Sequence, residues 1–165
     1  MLWDTVLGWF QSGGGSAGGA NAELGTCRRE KGIDPVSQDG KLSIIMPTLN
    51  EEKGIEKAIT SVKNNRCTNC KVEIVVVDGG SSDNTVRRAK ALGAKVIRSE
   101  RGRGIQQDEG SKAASGDYFL FLHADTELPK CYDTLLYASL SKASAGREAK
   151  HIWGAFEGLD IKVSE

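Results

Sequence analysis

Three short polar clusters in this chain each follow an apolar run, and each carries groups that bind ligands. Pro47-Thr48-Leu49-Asn50-Glu51 follows residues 42–46, Asp78-Gly79-Gly80-Ser81-Ser82-Asp83 follows residues 72–77, and His123-Ala124-Asp125 follows residues 118–122. A carboxylate such as Asp125 at the end of a buried strand can give one oxygen to Mg²⁺ or Mn²⁺, which then takes phosphate oxygens and water as well. Asp78 is an acceptor able to read an N–H on a base. Arg101 and Arg103 can pair with phosphate, and the glycines at 102 and 104 let the backbone come close to a ligand. His123 is a poor ligand for hard Mg²⁺ and an acceptable one for Mn²⁺. It touches the metal, hydrogen-bonds a phosphate or orients Asp125. The chemistry this set suggests is recognition of a phosphorylated ligand. The plainer readings are turn chemistry at Asp78-Gly79-Gly80, a helix cap at Asp83 and solvated surface charge at the two arginines.

The elements that must position these groups alternate. Residues 42–46 read as a strand stopped by Pro47, which cannot continue a central ladder. Ile55, Ala58, Ile59 and Val62 fall at i, i+3, i+4 and i+7 and predict a helix. Residues 72–77 predict a second strand, and residues 84–92 a helix capped by Ser82 or Asp83 and ended at Gly93. Residues 94–98 predict a third strand, followed by a polar helix to about Ser115. The unbroken apolar run at 118–122 reads as a fourth strand, buried on both faces. Leu128, Tyr132, Leu135, Leu136, Leu140 and Ala143 predict a helix with Pro129 in its first turn, and residues 153–163 a last strand. This alternation implies an α/β fold with a mostly parallel sheet, right-handed crossovers and flanking helices. In such sheets the loops at the carboxyl ends of the strands converge on one edge, where ligands bind.

Composition narrows the classes. With 22 basic and 22 acidic residues the net charge is zero, which argues against nucleic acid or an anionic membrane surface as a bulk electrostatic partner. No segment approaches the ~20 apolar residues of a membrane span. Residues 1–10 are apolar but short and carry Asp4. They form a sticky helical turn at a membrane interface or partner, or a leader without structure. Residues 11–20 are a Gly/Ser linker, so the chain divides into a flexible leader at 1–40 and a domain at 41–165. Cys27, Cys67, Cys70 and Cys131 read as reduced thiols, and Cys67 and Cys70 as a plain loop pair lacking the second pair of a zinc site. The expected location is the cytoplasm or the cytoplasmic face of a membrane.

Four stretches together resemble the inverting nucleotide-sugar glycosyltransferases of family 2, which have the Rossmann-like GT-A fold. They are Ser43-Ile-Ile-Met-Pro-Thr-Leu-Asn-Glu51, Val75-Val-Val-Asp-Gly-Gly-Ser-Ser-Asp83-Asn-Thr, Gly102-Arg-Gly104 and Phe119-Leu-Phe-Leu-His-Ala-Asp125-Thr, in that order over about residues 42–160. The resemblance implies a nucleotide-sugar donor, a divalent metal cofactor (Mn or Mg) and an acceptor of unspecified kind. It implies that Pro47, Thr48 and Glu51 line the nucleotide pocket and that Asp78 contacts the base. Arg103 takes the basic position of a Gly-Lys-Gly type loop, with Arg101 beside it, and Asp125 is the last acid of the Asp-X-Asp metal motif. His123 stands where that motif has its first acid, as in a His-Ala-Asp-Thr subgroup, and Gly79 stands where a second acid is often found. Family members continue into an acceptor-binding half with the general base. Here that half is expected to be missing, and no motif marks Glu157 or Asp160 as the base. Two other readings compete: a truncated, non-catalytic nucleotide-binding protein, and a sugar-phosphate nucleotidyltransferase, which would carry a Gly-rich, Lys/Arg-containing loop after the first strand.

Overall fold

Leu42, Ile44 and Met46 alternate with Ser43 and Ile45, and all five are fully buried, the mark of a strand covered on both faces. The computed structural model describes residues 8–11, 40–144 and 153–155. Its strands are β1 (Gly8–Gln11), β2 (Leu42–Thr48), β3 (Val72–Asp78), β4 (Lys95–Arg98), β5 (Tyr118–Phe121) and β6 (Trp153–Ala155). Its helices are α1 (Ile55–Asn64), α2 (Thr85–Ala91), α3 (Arg103–Ala113) and α4 (Tyr132–Ser144). The strands form one sheet in the order β4-β3-β2-β5-β1-β6. Strands β2 to β5 are mutually parallel, as the α/β alternation predicts, while β1 runs antiparallel to both β5 and β6.

The two faces of the sheet are covered unequally. On one, Leu42, Ile44, Met46, Val76 and Leu120 meet Ile55, Ile59 and Val62 of α1 and Leu136 and Leu140 of α4 in the main core. A fully buried aliphatic side chain of this kind contributes roughly 1.5–3 kcal/mol. On the other face Ile45, Val75 and Val77 pack with Ala113, Ala114, Phe119 and Phe121. Helix α3 lies close there: a Cβ added at Gly110 would run into the methyls of Ile45 and Val77. The positive φ of 74° at Gly93 ends α2, as the sequence predicts.

Several expectations need correction. Residues 8–11, read as part of a leader, form β1 and supply partners to the edge of β5 that would otherwise be bare. Residues 1–7 and 12–39 lie outside the described residues, as do residues 156–163 of the expected last strand. Pro47 does not stop β2 but sits inside it, opposite Val77. Strand β5 is buried on the side of Tyr118 and Leu120 and only partly on the side of Phe119 and Phe121. Arg103 and Gly104 lie in the first turn of α3 rather than in a loop. Helix α4 starts at Tyr132, so Pro129 precedes it. Leu128 instead packs across α1, its N–H donating to the Ser61 hydroxyl.

The cysteines also differ from expectation, for Cys67 and Cys131 form a disulfide and Cys70 is a buried thiol. Backbone and side-chain contacts bring the two segments together. The Cys131 N–H donates to Asn65 O at 2.7 Å, and fully buried Asp133 accepts N–H bonds from Cys67 and Thr68. With a separation of 64 residues, cross-linking contributes on the order of 4 kcal/mol in the loop-closure picture.

At the amino end of the strands, Glu73 joins β2, β3 and the chain entering β5. Its carboxylate accepts from the Ser43 hydroxyl, the Ser115 N–H and the Lys41 ammonium. Burial pushes the Glu73 carboxyl up, but these donors outweigh it and hold it at about 2, against an ordinary 4.5. A depressed carboxyl adds stability that is complete above its unfolded value and is lost as pH falls through the folded one. Urea unfolding of wild type and Glu73→Gln should therefore show a stability gap that is constant above pH 4.5 and closes towards pH 2. A gap that does not change with pH would contradict this account.

Candidate functional site

The site begins with a difference between two ladders. Along a strand the backbone groups face alternate neighbours. The Ile45 carbonyl accepts from Leu122 on the β5 side, so Pro47 faces that side too, with no N–H to offer. The β2–β5 ladder has its last pair at Ile45 and Phe121, while the β2–β3 ladder continues to Thr48 and Asp78. The chain after Phe121 is thereby released from the sheet just where the polar clusters begin.

The first two clusters are sewn together by hydrogen bonds. The Asn50 N–H donates to the Ser81 hydroxyl at 2.8 Å, and the Ser82 N–H donates to Asn50 Oδ1 at 2.9 Å. The Glu51 N–H donates to the Thr85 hydroxyl at 2.8 Å, and the Glu52 N–H to Asp83 Oδ2 at 3.1 Å. In return the Asn84 N–H donates to Glu52 Oε2 at 3.0 Å. Asn50 adopts φ 57°, the left-handed region that asparagine tolerates, which turns the loop towards its partner. Asp83 also accepts from the Thr85 N–H at 2.9 Å, but the N-cap of α2 is Asn84, whose side chain makes no capping bond, so the cap expected at Ser82 or Asp83 is not formed and Asp83 instead ties the turn before the helix. Burial raises the Asp83 carboxyl, but the Thr85 and Glu52 donors outweigh it and leave it lowered.

Of the residues picked from sequence, Thr48 is buried, Pro47 and Glu51 are half-buried and Asp78 is fully buried. The Asp78 carboxylate accepts from the N–H groups of Gly80 and Ser81 at 3.2 and 3.1 Å, with Arg98 Nε 3.9 Å away. It thus holds its own turn, and contact with a base requires that turn to open. Arg101 and Arg103 are exposed at the amino end of α3 and form no ion pair with a described residue.

The third cluster reaches the first through Gly54, at the head of α1. A Cβ there would lie 2.9 Å from Ala124 O and 3.0 Å from Asp125 Cα, so only glycine permits this approach. Asp125 is exposed, and His123 is half-buried. The Glu51 carboxyl is raised by burial first, then by the charges of Asp125 and Asp83. That repulsion marks a locus of negative potential which a divalent cation would relieve. Among the described residues no three His, Cys, Asp or Glu side chains converge to hold an ion by themselves. Asp125 is an exposed carboxylate with half-buried His123 two residues before it, and one such carboxylate would suit a hard divalent ion only with phosphate oxygens and water completing its shell.

Two structural partners went unread in the sequence. Gly54 carries no signal in the sequence beyond its place just before the helix at Ile55. Gln106 was hidden in a helix read as polar, although it and Gly110 share one face four residues apart, the visible signal of a helix seated closely on a sheet. A groove of about 530 Å³, lined by Val62, Lys63, Arg66, Ile74, Gly93 and Lys95, lies at the opposite end, where β3 and β4 begin.

If Asp125 and Glu51 face one another, removing one charge must relax the other. In Asp125→Asn the Glu51 carboxyl should titrate lower than in wild type, read by NMR of the side-chain carboxyl without any ligand. An unmoved Glu51 titration would separate the two groups.

Comparison with known proteins gives the family and the fold. The model of the family described as Glycosyl transferase family 2 matches residues 43–146. The chain is 37% identical over 95 residues to a dolichol-phosphate mannosyltransferase of Pyrococcus furiosus, covering 54% of this chain and 27% of that protein. It is 37% identical over 101 residues to a glucosyl-3-phosphoglycerate synthase of Petrotoga mobilis, covering 54% and 31%. The chain thus spans less than a third of the length of these relatives. Among solved structures, glucosyl-3-phosphoglycerate synthase of Mycobacterium tuberculosis in complex with UDP superimposes with a TM-score of 0.54 at 30% identity, over 64% of this chain and 41% of that one. TarS of S. aureus (residues 1–349) gives 0.52 at 31% identity, over 61% and 31%. The parallel sheet, its flanking helices and the matched motifs place this chain in glycosyl transferase family 2.

Proposed function

We propose that this chain binds the nucleotide-diphosphate end of a sugar donor, as part of a glycosyltransferase that moves the sugar to an acceptor hydroxyl with inversion. The observation that carries the reading is the joining of three strand-end loops at one sheet edge. Two are tied by the hydrogen bonds between residues 50–52 and residues 81–85, and the third is brought in by the contact of Gly54 with Ala124 and Asp125. Pro47, Thr48 and Glu51 line the nucleoside side, and Asp78 shapes the turn that faces the base. Arg101 and Arg103, free of ion pairs with described residues, reach the diphosphate.

Asp125 holds a divalent metal, Mn²⁺ or Mg²⁺, with His123 of the His-Ala-Asp-Thr sequence beside it. Such an ion neutralises charge on a diphosphate leaving group. Transfer forms the bond from acceptor oxygen to anomeric carbon and breaks the one from that carbon to the diphosphate. The residue that accepts the hydroxyl proton is not assigned. Two lines of support come from relatives: the Mycobacterium tuberculosis synthase has been solved with Mn²⁺, UDP-glucose and phosphoglyceric acid, and with Mg²⁺ and UDP.

Calorimetry of the 165-residue chain with UDP or GDP, with and without Mn²⁺, tests this reading. Metal-dependent binding is expected, and Asp125→Ala should weaken it by at least about tenfold, the scale of one charged contact. Absence of binding to both nucleotides, or equal affinity in the variant, would overturn it.

A further inference from the structure

Helix α3 touches the site through one side chain that the proposed chemistry does not use. Gln106 is 5% exposed, in the first turns of a helix whose neighbouring residue, Ile105, is among the most exposed apolar groups described. Burying an amide is costly unless its hydrogen bonds are made. Here Nε2 donates at 2.8 Å to Thr48 O and at 2.8 Å to Val77 O, using both of its hydrogens. Those carbonyls are already engaged: Thr48 O accepts the Gly79 N–H at 2.9 Å, and Val77 O accepts the Thr48 hydroxyl at 3.3 Å. The amide therefore shares two carbonyls on adjacent strands that already accept other donors, at the point where both strands end. It bridges Thr48 and the residue preceding Asp78.

Two further contacts extend the bridge. The Gln106 N–H donates to Gly102 O at 2.8 Å, closing the first turn of α3, which carries Arg103 and follows Arg101. On the other side Gly79 lies directly beneath the amide. A Cβ at Gly79 would sit 3.2 Å from Cδ, Nε2 and Oε1 of Gln106, tighter than an ordinary contact allows. A side chain at position 79 would push the amide of Gln106 off its place by a few tenths of an ångström.

We propose that Gln106 is the positioning residue that locks the arginine-bearing start of α3 to Thr48 and to the Asp78 turn, and that Gly79 is glycine to leave room for this amide. The inference rests on the nucleotide-binding reading above. It assigns Gln106 no contact with the ligand. Its effect passes through the spacing of Thr48, Asp78 and the arginine-bearing start of α3, so its loss should weaken nucleotide affinity in a chain that is still folded.

The test uses Gln106→Met, which keeps length and shape but removes the N–H donors, and Gly79→Ala, which places a methyl under the amide. Each is titrated with UDP and Mn²⁺ at a temperature where its circular dichroism matches wild type. Each should bind about tenfold more weakly, the scale of losing one or two buried hydrogen bonds. The double variant should bind no more weakly than the weaker single, because both changes act on the same amide. A purely structural Gln106 would lower the melting temperature and leave the dissociation constant alone. That result in either variant, or additive losses in the double variant, would overturn the proposal. If the wild-type chain itself bound no nucleotide, the donor-binding reading would fall and take this inference with it. If only the Gln106→Met chain failed to fold, Gly79→Ala alone would still decide it.

Discussion

A proline inside a central strand leaves one position of the sheet without a donor. In β2 that position is Pro47, facing the strand to which Ile45 makes its last bond. The consequence is asymmetry: β2 stays paired with β3 through Thr48 and Asp78, while β5 lets go at Phe121. A regular sheet would carry the residues after Phe121 straight on, beside Thr48. The missing N–H instead lets His123, Ala124 and Asp125 turn away over the head of α1, where Gly54 admits their backbone. That departure brings the charge of Asp125 to bear on Glu51, which also feels Asp83.

The two faces of the sheet then serve different ends. Aliphatic side chains from α1 and α4 fill the first face and supply most of the burial. Helix α3 covers the second, riding on small residues, with Gly110 against Ile45 and Val77. Close seating of α3 is what brings Gln106 within reach of the strand-end carbonyls. A bulkier interface would lift the helix and leave those carbonyls and the amide without each other. The disulfide between Cys67 and Cys131, with Asp133 beneath it, fixes the far end of the segment that starts at His123. That segment is therefore held both where it leaves the sheet and where it enters α4.

Much of this was legible in the residues. The 3.6-residue spacing of Ile55, Ala58, Ile59 and Val62 and the unbroken run at residues 72–77 carry their own periodicity, and the order of motifs pointed to the family. What escaped was whatever depends on residues distant in sequence. Nothing local to Cys67 or Cys131 announces a partner 64 residues away, and the nearer Cys70 is a distraction. Pro47 reads as a strand end until the side its nitrogen faces is known. Residues 8–11 have no meaning as a strand until the bare edge of β5 is in view. Gln106 looks like one more polar residue on a polar helix, since its burial follows from two carbonyls on other elements. In each case the local chemistry was ordinary and the tertiary partner decided its role.

The central claim is that the loops after β2, β3 and β5 form one ligand-binding edge. Backbone amide shifts of the ¹⁵N-labelled chain, titrated with UDP and Mg²⁺, report on that edge directly. The account predicts that the perturbed amides fall within residues 48–54, 79–85 and 123–126 and that those of Lys63, Arg66 and Lys95, at the opposite end of the sheet, stay still. Shifts confined to that opposite groove, or to one of the three loops alone, would contradict it.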